Sequence, residues 1–295
     1  MKRSLDGKIG IVYNSRVPEA HLMTSALIER LNLKDRSWMC PVSDVDPNMP
    51  EAQDTGLIIT IGGDGTIIRA TRLSVPHGIP LLGINMGRLG FMTELEPEEA
   101  LEKVPQYLEG AARVEERCML QVHILTRGMR DCQEPHSNGT PAYHALNDVV
   151  VGRGAVARLV SIRTLIDGAH LTSFRADAVI VSTATGSTGY NLSVGGPILY
   201  PQSSEIILKA VAPHVGMASA LVLPPTSVTE LIIETDHQAT ISVDGYVDRE
   251  LAPGDGVRVQ LSPYKARFLR ANPPTHFYET LTRRLGFDAT RAIQY

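Results

Sequence analysis

Residues 8–13 and 56–61 are short, nearly unbroken apolar runs, and between them residues 18–31 carry Met23, Leu27 and Leu31 at helical spacing. Apolar runs of strand length alternating with helix-period segments predict a β–α–β rhythm. A further strand is expected over 80–84, after a helix-like segment opening at Thr66, and residues 97–108 show the acidic first turn and periodicity of another helix. From Val114 onward the period changes. Leu120, Val122 and Ile124 alternate with Gln121 and His123, and residues 159–166 and 170–174 flank Asp167-Gly168, a hairpin signal. Residues 257–269 read as more strand, residues 277–285 as a closing helix with Thr280, Arg283 and Arg284 on its wet face, and residues 127–142 as an exposed loop. The pattern predicts an α/β domain with a parallel sheet over 1–112, with 275–295 packing back on it, and a β-rich, β-sandwich-like domain over 113–274.

Composition narrows the class of function. The 295 residues are 43% hydrophobic and 20% charged, with a net charge of −4 and no run of Lys or Arg, so a phosphate-backbone reader of nucleic acid is not expected. Residues 178–204 and 210–229 carry no Asp, Glu, Lys or Arg. They are too polar and too often interrupted by proline to cross a bilayer, so they read as buried backbone near a ligand. No apolar stretch precedes a small-residue cleavage site at the start, and Cys40, Cys118 and Cys132 form no CxxC pair. A cytoplasmic protein with reduced, packing cysteines and no membrane partner is expected.

Candidate chemistry begins at Gly62-Gly63-Asp64-Gly65-Thr66, placed at the carboxyl end of a predicted buried strand, where open α/β sheets bind ligands. Glycines there let the backbone approach a phosphate, with successive N–H groups forming an anion nest. The plainer alternative is a tight turn with Thr66 capping the next helix. A carboxylate beside a phosphate is unfavourable unless it takes a proton or holds a metal, which are two tasks of a kinase. The sequence has no GxxxxGK[ST], no GxSxG and no histidine pair at zinc spacing. Residues 152–157 fit G-x-G-x-x-A, but strand chemistry follows them, and a pyrophosphate site needs a helix N-terminus there. Over residues 182–193, hydroxyls and glycines surround Tyr190. That suits a flat ring stacked on Tyr190, with Thr188 and Ser193 bonding a sugar or amide. Asn147-Asp148 offers an amide and a carboxylate suited to the vicinal hydroxyls of a ribose.

In this order, GGDGT at 62–66, NMGRLGF at 85–91, LNDVV at 146–150, TATGSTGYNLSVGGPI at 183–198 and Ala212-Pro213-His214 closely resemble the NAD kinase family, across nearly the whole chain. GGDGT alone is shared with lipid kinases; the other motifs are more specific. The resemblance implies an α/β domain and a β-rich domain with NAD in the cleft between them, in a homodimer or homotetramer. It implies phosphoryl transfer from ATP or another donor to the 2′-hydroxyl of the adenosine ribose of NAD or NADH, with Mg²⁺ bound mainly through phosphates. Carried over by position, Asp64 is the base with Gly65 beside it, Arg69 faces dinucleotide phosphate, and Asn147 and Asp148 hold ribose. Arg175 and Asp177 lie near the nicotinamide end, reaching toward a neighbouring subunit's site. Thr188, Gly189, Tyr190, Asn191 and Ser193 line nucleoside pockets, and Gly62, Gly63, Thr66, Asn85, Ala212 and Asp244 complete the binding set.

The sequence departs from the family at Ala178 (usually Gly), Asp148 (commonly Glu), Gly189 (usually Ala) and Tyr246 (often Gln), and residues 217–221 lack an Arg often found there. None of these touches Asp64. The competing readings are a lipid kinase sharing GGDGT, which the hydroxyl-rich stretch argues against, and a non-catalytic NAD(H)-binding sensor.

Overall fold

The computed structural model describes residues 7–127, 142–154 and 158–286. Cys132 and nearly all of the loop expected over 127–142 lie outside the described residues. The chain divides into two compact units, Met1–Glu116 with Ala266–Tyr295, and Arg117–Lys265. The changes of unit fall inside two long strands, not at the turns where the sequence reading divides the chain.

The first unit opens with β1 (Lys8–Tyr13), α1 (Pro18–Arg30), β2 (Ser37–Pro41), β3 (Thr55–Gly62), α2 (Asp64–His77), β4 (Leu81–Asn85) and α3 (Pro97–Leu108). Its strands pair in parallel in the order β2-β1-β3-β4. Buried on both faces, β3 is a mostly apolar run, interrupted by Thr60, where a one-sided strand would alternate. Proline stands in the first turn of α1 and of α3, where its missing N–H costs nothing. α1 turns Ala20, Thr24 and Leu27 inward, and with Ala100 and Val104 of α3 these pack on Ile9, Ile11, Leu57, Ile59 and Ile61. Because β2 lies on one side of β1 and β3 on the other, the strand order reverses direction there. Ligands of open α/β sheets bind beyond the carboxyl ends of strands at such a switch point.

The second unit carries β5 (Arg113–Leu125, entering from the first), β6 (Tyr143–Ala145), β7 (Asp148–Arg153), β8 (Val160–Ile166), β9 (Ala169–Ala176), β10 (Ala178–Ser182), a one-turn helix α4 (Tyr190–Ser193), β11 (Ile206–Val211), β12 (Leu221–Leu223), β13 (Thr229–Ile233), β14 (Ala239–Val243), β15 (Val247–Leu251) and β16 (Gly256–Arg270). One antiparallel sheet has the order β12-β11-β10-β7-β14-β15, and β16, β13, β8 and β9 are consecutive antiparallel neighbours in another. Their inner faces share one core, Val149, Val151, Val179 and Val181 meeting Val160, Ile162, Phe174 and Leu231. The β8–β9 turn holds Asp167 at φ 52° and Gly168 at φ 81°, the left-handed pair of a two-residue hairpin. β16 ends in the first unit, where Phe268 pairs with Leu81 of β4, and α5 (His276–Leu285) follows.

Two local expectations are corrected. The second helix opens at Asp64, not Thr66: Gly63 is extended (φ −103°, ψ −170°), and its carbonyl accepts the N–H of Thr66 at 2.9 Å. Thr66 is therefore buried in the first turn instead of capping it. Thr280 is also buried, so the wet face of α5 excludes it.

Candidate functional site

The turn after β3 lies beyond the switch point, and its geometry centres on Asp64. The Asp64 carboxylate accepts the backbone N–H of Phe91 at 2.9 Å (Oδ2) and of Met92 at 3.0 Å (Oδ1), both from the NMGRLGF loop that follows β4. Gly90 is required by this approach, since a Cβ there would stand 2.2 Å from Asp64 Oδ1. Gly62 is equally constrained, because its missing Cβ leaves room for Thr66 Oγ1. Gly63 and Gly65 are different. Neither has a left-handed φ, and a Cβ at either would meet nothing within 4 Å, so neither crowding nor backbone strain within the described chain explains them. Bare backbone facing open space beside a helix N-terminus is what close approach of an anion needs.

Asn85, fully buried at the end of β4, donates Nδ2 to Gly87 O and Glu96 Oε2, both at 3.1 Å, and so shapes the loop that holds Asp64. The far end of that loop is anchored by Glu94, whose carboxylate accepts from Arg270 Nη1 (3.1 Å), Ala271 N–H (2.7 Å), Asn272 N–H (3.0 Å) and Tyr107 OH (3.0 Å). Burial and the Glu94 charge push the Tyr107 phenol well above its usual range, so it stays a donor. Arg284, on the last turn of α5, places Nη1 3.2 Å from Asp64 Oδ2 and its guanidinium 4.4 Å from the centre of the Phe91 ring. Gly90, Phe91, Met92, Glu94 and Arg284 were missed as functional residues. The NMGRLGF motif pointed to the loop, but nothing local to residue 284 points across 220 residues to Asp64.

In the second unit three motifs meet at one bend. Asp244 has a left-handed φ of 51°, as does Gly245 at 70°, and the turn folds the Asp244 carboxylate onto the N–H groups of Leu146 (2.7 Å), Asn147 (2.8 Å) and Asp148 (3.0 Å). The carbonyls of the same bend accept from Thr183 Oγ1 (Leu146, 2.6 Å), Thr183 N–H (Asn147, 2.9 Å) and Asp244 N–H (Asp148, 3.0 Å). A Cβ on Gly186 would stand 2.1 Å from Asn147 O, so the TATGS turn can close on the bend only as glycine. With its backbone saturated, the bend presents side chains. Asn147 Oδ1 is buried without a hydrogen-bond partner. Burial, and then the Asp244 charge, push Asp148 up to about 7. Burial raises Asp244 as well, to about 6, against the pull of its three N–H donors.

Gly189 lies 3.8 Å by its Cβ direction from Asn147 Nδ2, which sets Thr188, Gly189, Tyr190 and Ser193 beside the bend, Tyr190 being 42% exposed. Asn191 does not join them. Wholly buried, it donates Nδ2 to Ser187 O (3.1 Å) and Pro197 O (2.9 Å), with Gly196 pressed against it, so it pins the loop from inside. Asp244 likewise serves backbone, and Thr66 packs on Gly62. Arg69 is exposed on α2. Arg175, Asp177 and Ala212 stand apart from the bend. Asp148 pairs with Ser182 at one end of β7 and β10 and Gly152 with Ala178 at the other, where Asp177 Oδ1 meets Arg153 Nη1 at 3.3 Å. Arg175 exchanges backbone bonds with His214 and Val215 there, after the left-handed Ala212 (φ 45°). Residues 152–154 lead to strand β8 and not to a helix, and residues 155–157 lie outside the described residues.

The family model of the ATP-NAD kinase N-terminal domain matches residues 41–112, and that of the C-terminal domain matches residues 146–271. This chain belongs to the NAD kinase family. An NAD kinase of Dehalococcoides mccartyi is 39% identical over 280 residues, covering 94% of this chain and 95% of that protein. An NAD kinase of Chloroflexus aggregans is 34% identical over 279 residues, covering 94% and 98%. Among solved structures, yeast NADH kinase complexed with NADH superposes with a TM-score of 0.79 at 25% identity, over 96% of this chain and 88% of that one. An NAD kinase from Archaeoglobus fulgidus in complex with ATP shares the fold, with a TM-score of 0.72 at 24% identity, over 94% and 98%. The N-terminal parallel sheet and the C-terminal antiparallel β-rich unit are those the family resemblance implies.

Proposed function

We propose that this protein is an NAD kinase that transfers a phosphoryl group from ATP to the 2′-hydroxyl of the adenosine ribose of NAD or NADH, with Asp64 as general base. The observation that carries the reading is the turn at 62–66. One carboxylate is fixed by two backbone N–H groups beside glycines whose open faces no packing in the described chain explains. The hydroxyl oxygen forms a bond to the γ-phosphorus as the bond from that phosphorus to the β,γ-bridging oxygen breaks. ADP leaves with the electron pair, and the hydroxyl proton passes to Asp64 and then to solvent. A secondary alcohol is hardly ionised near neutrality, and a positioned base accepting its proton late in a loose transfer is worth about 10²–10⁴ in rate.

Asn147 and Asp148 hold ribose hydroxyls, Thr188 and Ser193 bond the nucleoside, and Tyr190 stacks on a base. Arg69 faces phosphate. Arg175 and Asp177, set at the other end of β7 and β10 from this group, serve a neighbouring subunit in a homodimer or homotetramer. Mg²⁺ would be carried on the donor's phosphates, where it would neutralise their charge. No helix of the described residues is long and apolar enough to cross a membrane, and with Cys40 and Cys118 buried as free thiols the cytoplasm is the proposed compartment.

Incubation with NAD, ATP and Mg²⁺ followed by chromatography for NADP tests the reading. NADP is expected from NAD and no product from 2′-deoxyadenosine NAD; phosphorylation of the deoxy analogue would falsify the choice of acceptor.

A further inference from the structure

We propose that Arg284 is a catalytic residue of this phosphoryl transfer, the cation that holds the charge of the transferring group beside Asp64. The inference rests on the reading of Asp64 as base and adds a residue that the motifs do not contain.

The need for such a cation follows from charge. A carboxylate that must touch the acceptor hydroxyl stands within a few ångströms of the phosphorus that hydroxyl attacks. The incoming triphosphate and Asp64 therefore repel each other at the reacting atoms. Two backbone N–H groups orient the carboxylate, but they bring no net charge. Arg284 brings one. Its Nη1 lies 3.2 Å from Asp64 Oδ2, and the pair stays part-exposed, side chains 40% and 22% accessible, as a group that must meet a ligand requires.

The position is built. The guanidinium lies 4.4 Å from the centre of the Phe91 ring, and Phe91 supplies the N–H bound to the same Asp64 oxygen. Phe91 in turn packs against Phe277 on the first turn of α5, with ring centres 6.3 Å apart. One aromatic residue thus fixes both the base and the cation, and the helix bearing the cation is seated on that same residue. Stability alone does not account for the arrangement, since an ion pair at this exposure contributes little once screened. Helix-end electrostatics does not single it out either, because Arg283 shares the last turn and is not paired with Asp64. A guanidinium carries five N–H donors in a planar fork, more than a single Nη1 contact to a carboxylate uses. The geometry of that fork matches two phosphate oxygens. In the transfer, the proton goes from hydroxyl to Asp64 while Arg284 bonds the equatorial oxygens of the γ-phosphoryl group and keeps its own proton throughout.

The test is steady-state kinetics on full-length wild type, Arg284→Gln, Arg284→Lys, Arg284→Ala and Asp64→Asn, with melting temperatures on the same preparations. Arg284→Gln keeps length and hydrogen bonding without charge, and is expected to lower kcat about a hundredfold, the scale of losing one donor to transition-state charge. KM for NAD should change less than about threefold. Arg284→Lys should recover about tenfold of the loss, and ethylguanidinium added to Arg284→Ala should raise its kcat. Wild-type kcat in Arg284→Gln, or a loss restored neither by lysine nor by ethylguanidinium, overturns the proposal. Asp64→Asn separates the two ideas: if it is inactive while Arg284→Gln is not, only the role of Arg284 falls, whereas an active Asp64→Asn removes the base itself.

Discussion

Tyr190 stands 42% exposed at the head of a one-turn helix whose next residue, Asn191, is wholly buried, so adjacent positions divide the work of facing a ligand and holding the loop. A stacking ring acts equally in ground and transition states. Tyr190→Ala should therefore raise KM for NAD about tenfold, for a loss of about 1–3 kcal/mol in stacking, with kcat little changed and a melting temperature close to wild type. An unchanged KM with a large thermal loss would make the ring a packing residue. Gly90 makes the converse case, a residue whose part lies in the room it leaves for Asp64. A methyl group there would fall 2.2 Å from Asp64 Oδ1, so Gly90→Ala must displace the carboxylate. An expected loss of tenfold or more in kcat follows from misplacement of about an ångström, with NAD binding by calorimetry nearly retained; a Gly90→Ala enzyme of wild-type kcat would show that the carboxylate's position is not critical. At this scale the sequence was half legible. Glycine clusters and a lone carboxylate announce a turn open to phosphate, because few other folds need them. That Gly90 clears space for Asp64, or that Asp244 points inward, depends on contacts 26 to 98 residues distant, which no local spacing encodes.

The bend at Leu146–Asp148 works as an element because every backbone N–H in it is bound by one carboxylate and its carbonyls by Thr183 and Asp244. The consequence is a pair of aspartates held close together, with the buried Asp148 raised to about 7. Between its unfolded value near 3.8 and about 7, the native protein holds a proton that the unfolded chain lacks. Asp148 therefore favours folding on the acid side, and that contribution is lost as pH rises through the window. His123 and His144, lowered chiefly by burial, act in the opposite sense, so the informative quantity is a difference. The melting temperature of Asp148→Asn relative to wild type should rise from about pH 4 to about pH 7 and level off above that; a constant offset would mean that Asp148 is ionised throughout. Strands and helices were the most legible part of the chain, since period and turn chemistry are local: the α/β rhythm, the Asp167-Gly168 hairpin and the alternation after Val114 all appear in the structure. The pairing of Asp244 with the Asn147 bend was not legible. Each motif was visible, but antiparallel pairing of β7 with β14 is what brings them together.

At the scale of the whole molecule, the predicted binding residues of the second unit fall into two groups at opposite ends of β7 and β10. Asp148 and Gly152 are four residues apart on one strand, about 13 Å at strand rise. Asp177, held by Arg153, continues away from the bend. If the chain forms the proposed homo-oligomer, Arg175 and Asp177 at this far end would serve a symmetric partner's site instead of the bend of their own chain. Closed two-fold symmetry makes any such donation mutual. An Asp64→Asn chain then still lends its Arg175 and Asp177, and an Arg175→Ala/Asp177→Ala chain still has its own Asp64. Each parent homo-oligomer is expected to be nearly inactive. Mixed one to one by co-expression, half the dimers are hybrids, and each hybrid holds one intact site of two. About a quarter of wild-type activity per chain should return, far above the sum of the parents. The measurement is NADP formation by the mixture against the parents assayed alone, with light scattering to count the subunits. If the mixture has only the average activity of its parents although hybrids are present, each chain completes its own site. An Arg175→Ala/Asp177→Ala enzyme that is fully active alone would remove both residues from catalysis, and with them the reason for a shared site.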